Sequence, residues 1–227
     1  MFKNKSLSII LPAYNEELTI SNFIIEIKKL NIVDQIIAVN NNSTDNTEHE
    51  IRKNNVVYLN AKKQGFGAAV KEGLRFSNTD LILICEPDGS FQANDILKLL
   101  NYIDSYDAVF TSRTASMKNL YLKYGNIIYA KVLSLIFGGP TISDVGSSLR
   151  LFKKKNLNTF INNLKSDGPE LQLELTINFF KLKIKIVEIN VNYSDRLGVS
   201  NYTGNLIGSF KVALKFTKVV FVKLFKI

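Results

Sequence analysis

A single cysteine, Cys85, stands among 227 residues, which excludes an internal disulfide. One thiol is no basis for a thiolate metal cluster either, so metal chemistry has to run on oxygen ligands, and a reducing, cytoplasmic setting is expected. Beside Glu86, Cys85 reads as a small buried apolar residue and not a nucleophile. Histidine is as scarce: His49 is the only one, on a stretch of helical spacing, and reads as a surface residue. No stretch reaches the roughly 18 to 20 uninterrupted apolar residues of a spanning helix. Met1-Phe2-Lys3-Asn4-Lys5 leads into a short strand-like run, without the apolar segment and small-residue cleavage site of a signal peptide. Internal repeats and low-complexity segments are missing too.

Acidic residues are absent from Arg196 to Ile227, where Arg196, Lys211, Lys215, Lys218, Lys223 and Lys226 supply six charges of the net +9. On a helix over residues 205–227, Lys211, Lys215, Lys218 and Lys226 fall within roughly 80° of one another, with Lys223 flanking them. Leu, Ile, Val and Phe fill the rest of the circumference. Such a helix suits a membrane interface, lysines at anionic headgroups and Phe210, Phe216, Phe221 and Phe225 at acyl chains. The other reading is a terminal helix packed on the domain. A nucleic-acid partner is not expected, because the cations gather on an apolar helix and not with exposed aromatics.

What is present is enough apolar residue for one sizeable domain, 46% of the chain against 22% charged. Leu7–Leu11, Gln35–Val39, Val56–Leu59, Leu81–Cys85 and Ala108–Thr111 read as short buried strands. Between them lie helical stretches such as Leu18–Leu30 and Asp95–Ile103. After Arg113, Gly125–Phe137 and Glu170–Phe180 read as helices, and Val145–Phe152 and Ile184–Tyr193 as strands. Alternating β and α predicts a mainly parallel sheet flanked by helices, with ligands beyond the carboxyl ends of the strands. No linker interrupts residues 1–204, which read as one domain followed by the tail helix at 205–227.

The polar words fall at strand ends. Pro12-Ala13-Tyr14-Asn15-Glu16 follows the first strand, where a base can stack on Tyr14. Asn40-Asn41-Asn42-Ser43-Thr44-Asp45 follows the second, rich in short side chains that cap helices or bond a base or ribose. Gln64-Gly65-Phe66-Gly67 follows the third and lets backbone approach a nucleotide. Glu86-Pro87-Asp88-Gly89 follows the fourth, two carboxylates on a stiff turn that suit a hard divalent cation held against a diphosphate. Singly, each reads first as a cap or a solvated turn.

In this order they resemble the family 2 glycosyltransferases of GT-A fold, within them the branch of dolichyl-phosphate mannose synthase and bacterial polyprenyl-phosphate glycosyltransferases. Thr111-Ser112-Arg113, Gly125-Asn126, Ser143-Asp144-Val145-Gly146, Val187-Glu188-Ile189 and Arg196-Leu197-Gly198-Val199-Ser200 extend the resemblance. It implies an inverting transfer of sugar from a nucleoside-diphosphate sugar to a polyprenyl phosphate, at the cytoplasmic face of the membrane. A saccharide hydroxyl or lipid-linked precursor as acceptor, and a nucleotide-sugar-binding protein without catalysis, are the alternatives. By position, Pro12, Ala13, Tyr14, Glu16, Asn41 and Gly65 line the nucleotide site. Glu86, Pro87 and Asp88 meet Mg²⁺ or Mn²⁺ and the diphosphate, with Glu86 and Asp88 as metal ligands. Arg113 and Arg196 offset phosphate charge, Arg196 from a loop able to close over the donor. Asp88 and Arg196 belong to the catalytic set. Asp144 joins them as the base for a hydroxyl acceptor, or stands as a structural turn residue. Two departures are visible: Asn40-Asn41 where many relatives have Asp-Asp, and Glu-Pro-Asp where mannose synthases have Asp-Ala-Asp.

Overall fold

Leu7–Ala13 (β1) is buried at every one of its positions, which only a sheet covered on both faces allows. The computed structural model describes residues 2–117, 119–194, 196–197 and 206–225, without the side chains of 122 and 206–211. Ile20–Lys29 (α1), Gln35–Asn40 (β2), Thr47–Arg52 (α2), Val57–Asn60 (β3), Phe66–Phe76 (α3), Leu81–Ile84 (β4) and Ala93–Leu100 (α4) follow β1 in strict alternation. Then come Ala108–Ser112 (β5), Leu120–Phe137 (α5), Arg150–Lys153 (β6), Lys154–Leu157 (α6), Leu171–Lys181 (α7), Ile186–Asn190 (β7) and Leu206–Phe225 (α8). The strands form one seven-stranded sheet in the order β3-β2-β1-β4-β6-β5-β7.

Side chains alternate across β1, so Leu7, Ile9 and Leu11 pack under α1 and α4, while Ile10 packs on the opposite face with α3 and α7. The sheet is parallel as expected except for β6, which runs antiparallel to both β4 and β5. A strand was expected over Val145–Phe152; only its end forms. The carbonyls of Val145 and Ser147 accept from the buried Arg150 guanidinium (2.6 and 2.9 Å) in place of a neighbouring strand. The last strand is likewise confined to β7, since Ile184 N–H closes the turn onto Phe179 O.

The tail helix α8 packs by one face. Phe216 meets the Tyr129 ring of α5 at 6.1 Å, and Lys223 Nζ lies 2.9 Å from the Glu174 carboxylate of α7. Leu214, Phe221, Leu224 and Phe225 face outward, as do Tyr121, Ile128 and Leu135 of α5. Among the described residues no helix is long and apolar enough to cross a membrane. Phe210, Lys211 and Lys226, named in the amphipathic reading, lie outside the described side chains.

Candidate active site

A cleft of about 620 Å³ opens beyond the carboxyl ends of β1, β4 and β5, with loops and α8 completing its wall. Pro12, Tyr14 and Glu16 reach it from the turn after β1. That turn is stitched to the one after β2: Glu16 N–H donates to Thr47 Oγ1 at 2.7 Å, and Thr44 N–H to Asn15 Oδ1 at 2.9 Å. Of the two asparagines only Asn41 lines the cleft, its Oδ1 accepting from Gly65 N–H at 2.7 Å. Asn40 turns away, accepting from Ser43 N–H and donating to Asn60 Oδ1. Ala13, Gly65 and Pro87 support the wall from behind and do not line it. A Cβ on Gly65, whose φ is +149°, would collide with the Asp167 carbonyl, so α3 starts there only with glycine.

Glu86 and Asp88 both face the cleft, on the turn after β4. Asp88 is buried; its Oδ1 accepts from Ser90 N–H at 3.0 Å, and its Oδ2 lies 3.9 Å from Arg196 Nε. Arg196 Nη2 in turn donates to Glu16 Oε1 at 2.7 Å, and Leu197 N–H donates to Asp88 O at 2.9 Å. Residues 196–197 therefore already lie against the acidic turn; Gly198–Ser200 of the same word lie outside the described residues. Burial pushes the Glu16 carboxyl up to about 8, with Arg196 pulling it down and Asp88 adding to the rise. Glu86 is raised as well, first by burial and then by Asp88, against a hydrogen bond from Ser148. Two neighbouring carboxylates that repel each other in a poorly solvated cleft fit a hard dication. Among the described residues no cluster of three or more His, Cys, Asp or Glu side chains can cage a metal. Glu86 and Asp88 are the side chains that would hold such an ion, and the rest of its ligands would have to come from outside the protein side chains.

The base role considered for Asp144 does not fit its surroundings. Its carboxylate is fully buried and accepts from Arg113 Nε and Nη2 (2.8 and 3.0 Å), Arg113 N–H, Asn126 Nδ2 and Gly146 N–H. Burial alone raises its pKa, but the Arg113 charge and hydrogen bonds outweigh it and hold the carboxyl below its usual value. With five donors on two oxygens, Asp144 is the residue that aims Arg113 into the cleft. Glu188 of β7 fixes the same loop, accepting from Ser143 N–H, Ser143 Oγ and Asp144 N–H at 2.6 to 3.0 Å.

Sequence reasoning gave no cleft role to Gln172 or Ser148 and set Phe216 at acyl chains; all three line the cleft, as does Phe66 of the glycine loop. Phe66, Met117, Pro169, Val212 and Phe216 give the cleft an apolar lining. Among the described lining residues the carboxylates are Glu16, Glu86 and Asp88, the first and last held by Arg196.

Residues 8–161 match the sequence profile described as Glycosyl transferase family 2. An uncharacterized glycosyltransferase of Mycobacterium tuberculosis is 25% identical over 220 residues, covering 95% of this chain and 98% of its own. The UDP-N-acetylglucosamine–dolichyl-phosphate N-acetylglucosaminyltransferase of Methanococcus voltae is 28% identical over 250 residues, covering 96% and 99%. Among solved structures, glucosyl-3-phosphoglycerate synthase of Mycobacterium tuberculosis, in complex with Mn²⁺, UDP and phosphoglyceric acid, superposes with a TM-score of 0.80 at 16% identity. That superposition covers 98% of this chain and 79% of the other. At such identity the likeness is one of fold.

Proposed function

Because this chain belongs to glycosyl transferase family 2 and has its GT-A fold, we propose that it moves a sugar, with inversion, from a nucleoside-diphosphate sugar to a polyprenyl phosphate. The observation that carries the acceptor is where the carboxylates stand. Glu16 and Asp88 are engaged by Arg196, and Glu86 shares the diphosphate turn. Asp144 is saturated by its five donors, so among the described residues it offers no free carboxylate to deprotonate a hydroxyl. A phosphate acceptor is already an anion and needs no base. The dolichyl-phosphate acceptor in the Methanococcus voltae relative's name, and the UDP in that name and in the solved complex, support a lipid phosphate and a uridine nucleotide.

In this reading Tyr14 stacks on the base and the Asn41 amide, its oxygen spent on Gly65 N–H, offers its nitrogen to it. Arg113, aimed by Asp144, and Arg196, closing from the far end of the chain, stabilise the charge that grows on the leaving diphosphate. Glu86 and Asp88 would hold Mg²⁺ or Mn²⁺, which would supply Lewis-acid neutralisation of the same group. Met117, Val212 and Phe216 give the isoprenoid an apolar wall.

Residues 1–204 are read as the transferase domain and 205–227 as its appendage, whose helix Leu206–Phe225 packs on the domain and meets the bilayer with its outer face. That face carries Lys215 and Lys218 beside Leu214, Phe221 and Phe225, with Lys131 and Leu135 on α5, and neither α5 nor α8 has an acidic residue. The enzyme would sit on the cytoplasmic leaflet.

The deciding experiment offers the enzyme UDP- and GDP-sugars with Mn²⁺ or Mg²⁺, and farnesyl phosphate or a saccharide as acceptor. Transfer to the phosphate is expected, with Asp88→Asn losing about 10²-fold or more while melting like the parent. Transfer to the saccharide alone would sink the lipid-phosphate reading, and full activity of Asp88→Asn under chelation would sink the metal.

A further inference from the structure

Gln172, in the first turn of α7, is 2% exposed, and neither Nε2 nor Oε1 of its amide has a hydrogen-bond partner. Yet the side chain lines the cleft. Burying an unpaired amide is costly, and such groups mark places where something else binds. The residue is also held in place from behind. Its carbonyl accepts from Arg150 Nη1 and from Thr176 Oγ1, each at 2.8 Å. The same Arg150 grips the carbonyls of Val145 and Ser147, so one buried fork sets both Gln172 and the loop that presents Gly146 and Ser148 to the cleft. Ser148 and Glu86 line the same cleft.

Gln172 N–H donates to Pro169 O at 3.2 Å, and Pro169, Phe66, Val212 and Phe216 line the same cleft. A polar group in an apolar wall suits the head of an amphiphile whose tail lies along that wall. A carboxylate at this place would repel a phosphate and would be a base for a hydroxyl; an amide does neither, and can donate and accept at once.

We propose that Gln172 is the binding site for the acceptor's phosphate: Nε2 donates to a phosphate oxygen of the lipid, and Oε1 accepts from a hydroxyl of the sugar in transfer. The assignment rests on the lipid-phosphate reading above and adds to it the group that places the acceptor.

Titration calorimetry of farnesyl phosphate, with farnesol as control, into the full-length protein holding UDP and Mn²⁺ tests it. The parent is expected to bind farnesyl phosphate more tightly than farnesol. Gln172→Glu should weaken farnesyl phosphate binding by about tenfold or more, and Gln172→Leu by several-fold, the scale of a lost charge-assisted hydrogen bond. UDP affinity should stay within about twofold in both, since the nucleotide is held elsewhere. The introduced carboxyl donates once protonated, so the Gln172→Glu deficit should shrink as pH falls, whereas the Gln172→Leu deficit should not. If Gln172→Glu does not fold, Gln172→Leu decides. Equal binding by the parent and the folded variants overturns the Gln172 site and leaves the acceptor reading standing. A parent that binds neither compound, or both alike, overturns the acceptor reading and the site with it.

Discussion

Asp144 has no freedom left, and that fact defines its work. Asparagine in its place keeps the size but leaves the Arg113 guanidinium, only 19% exposed, without a counter-ion. Breaking a buried pair on one side costs about 3–5 kcal/mol, so Asp144→Asn should show that loss in urea unfolding near neutral pH. The native pKa of Asp144 lies below its ordinary 3.8. Its contribution is therefore complete above that value and is lost as pH falls through the lower native one. The gap between parent and variant should close as acid is added, and unfolding series at neutral pH and in strong acid check this. The sequence marked Asp144 as important without revealing how. Its five donors come from residues 113, 126 and 146, which meet only when β5, α5 and the loop before β6 assemble. Glu86 and Asp88 were easier to find because both stand on one turn. Gln172 carried no signal: among Leu171, Leu173 and Leu175 it reads as one polar residue on a buried helix.

At the scale of elements, α8 shows what amphipathic spacing does and does not reveal. Lysines with no acidic residue among apolar ones foretold a two-sided helix. Which apolar arc faces the protein was not legible, because Phe216, Val219 and Val220 differ in no chemical way from Phe221, Val222 and Leu224. Only contact with α5 and α7 separates them. Lys215 and Lys218 are exposed, so changing both to glutamate should leave the melting temperature alone. Binding to anionic vesicles should drop by roughly tenfold or more, with a weaker salt dependence. Flotation at low and high salt measures this; unchanged flotation would make α8 a packing element only. The run over Val145–Phe152 misled for a related reason. It is apolar enough for a strand, but Arg150 claims its carbonyls.

Across the whole molecule, alternation of strand and helix was enough to foresee a covered, mainly parallel sheet with its cleft at the strands' carboxyl ends. It was not enough to foresee β6, inserted antiparallel between β4 and β5. That reversal follows long-range pairing, which local spacing does not encode. It has a use: a reversed strand starts where its parallel neighbours end, so the loop before Arg150 arrives at the cleft carrying Asp144, Gly146 and Ser148.

The contact of Arg196 with Glu16 joins residues 180 positions apart and sets its guanidinium between Glu16 and Asp88. This arginine is the positive partner of both acids. A dication arriving alone competes with it for one negative field, whereas a dication arriving with a diphosphate brings anionic oxygens on which the arginine can settle. The two ligands are thus thermodynamically linked through one side chain. Arg196→Ala should therefore bind free Mn²⁺ more tightly than the parent and UDP with Mn²⁺ less tightly, a reversal of sign that paramagnetic titration can read directly. With the arginine set between the two acids, a divalent ion bound on this turn would enter chiefly in the company of its nucleotide.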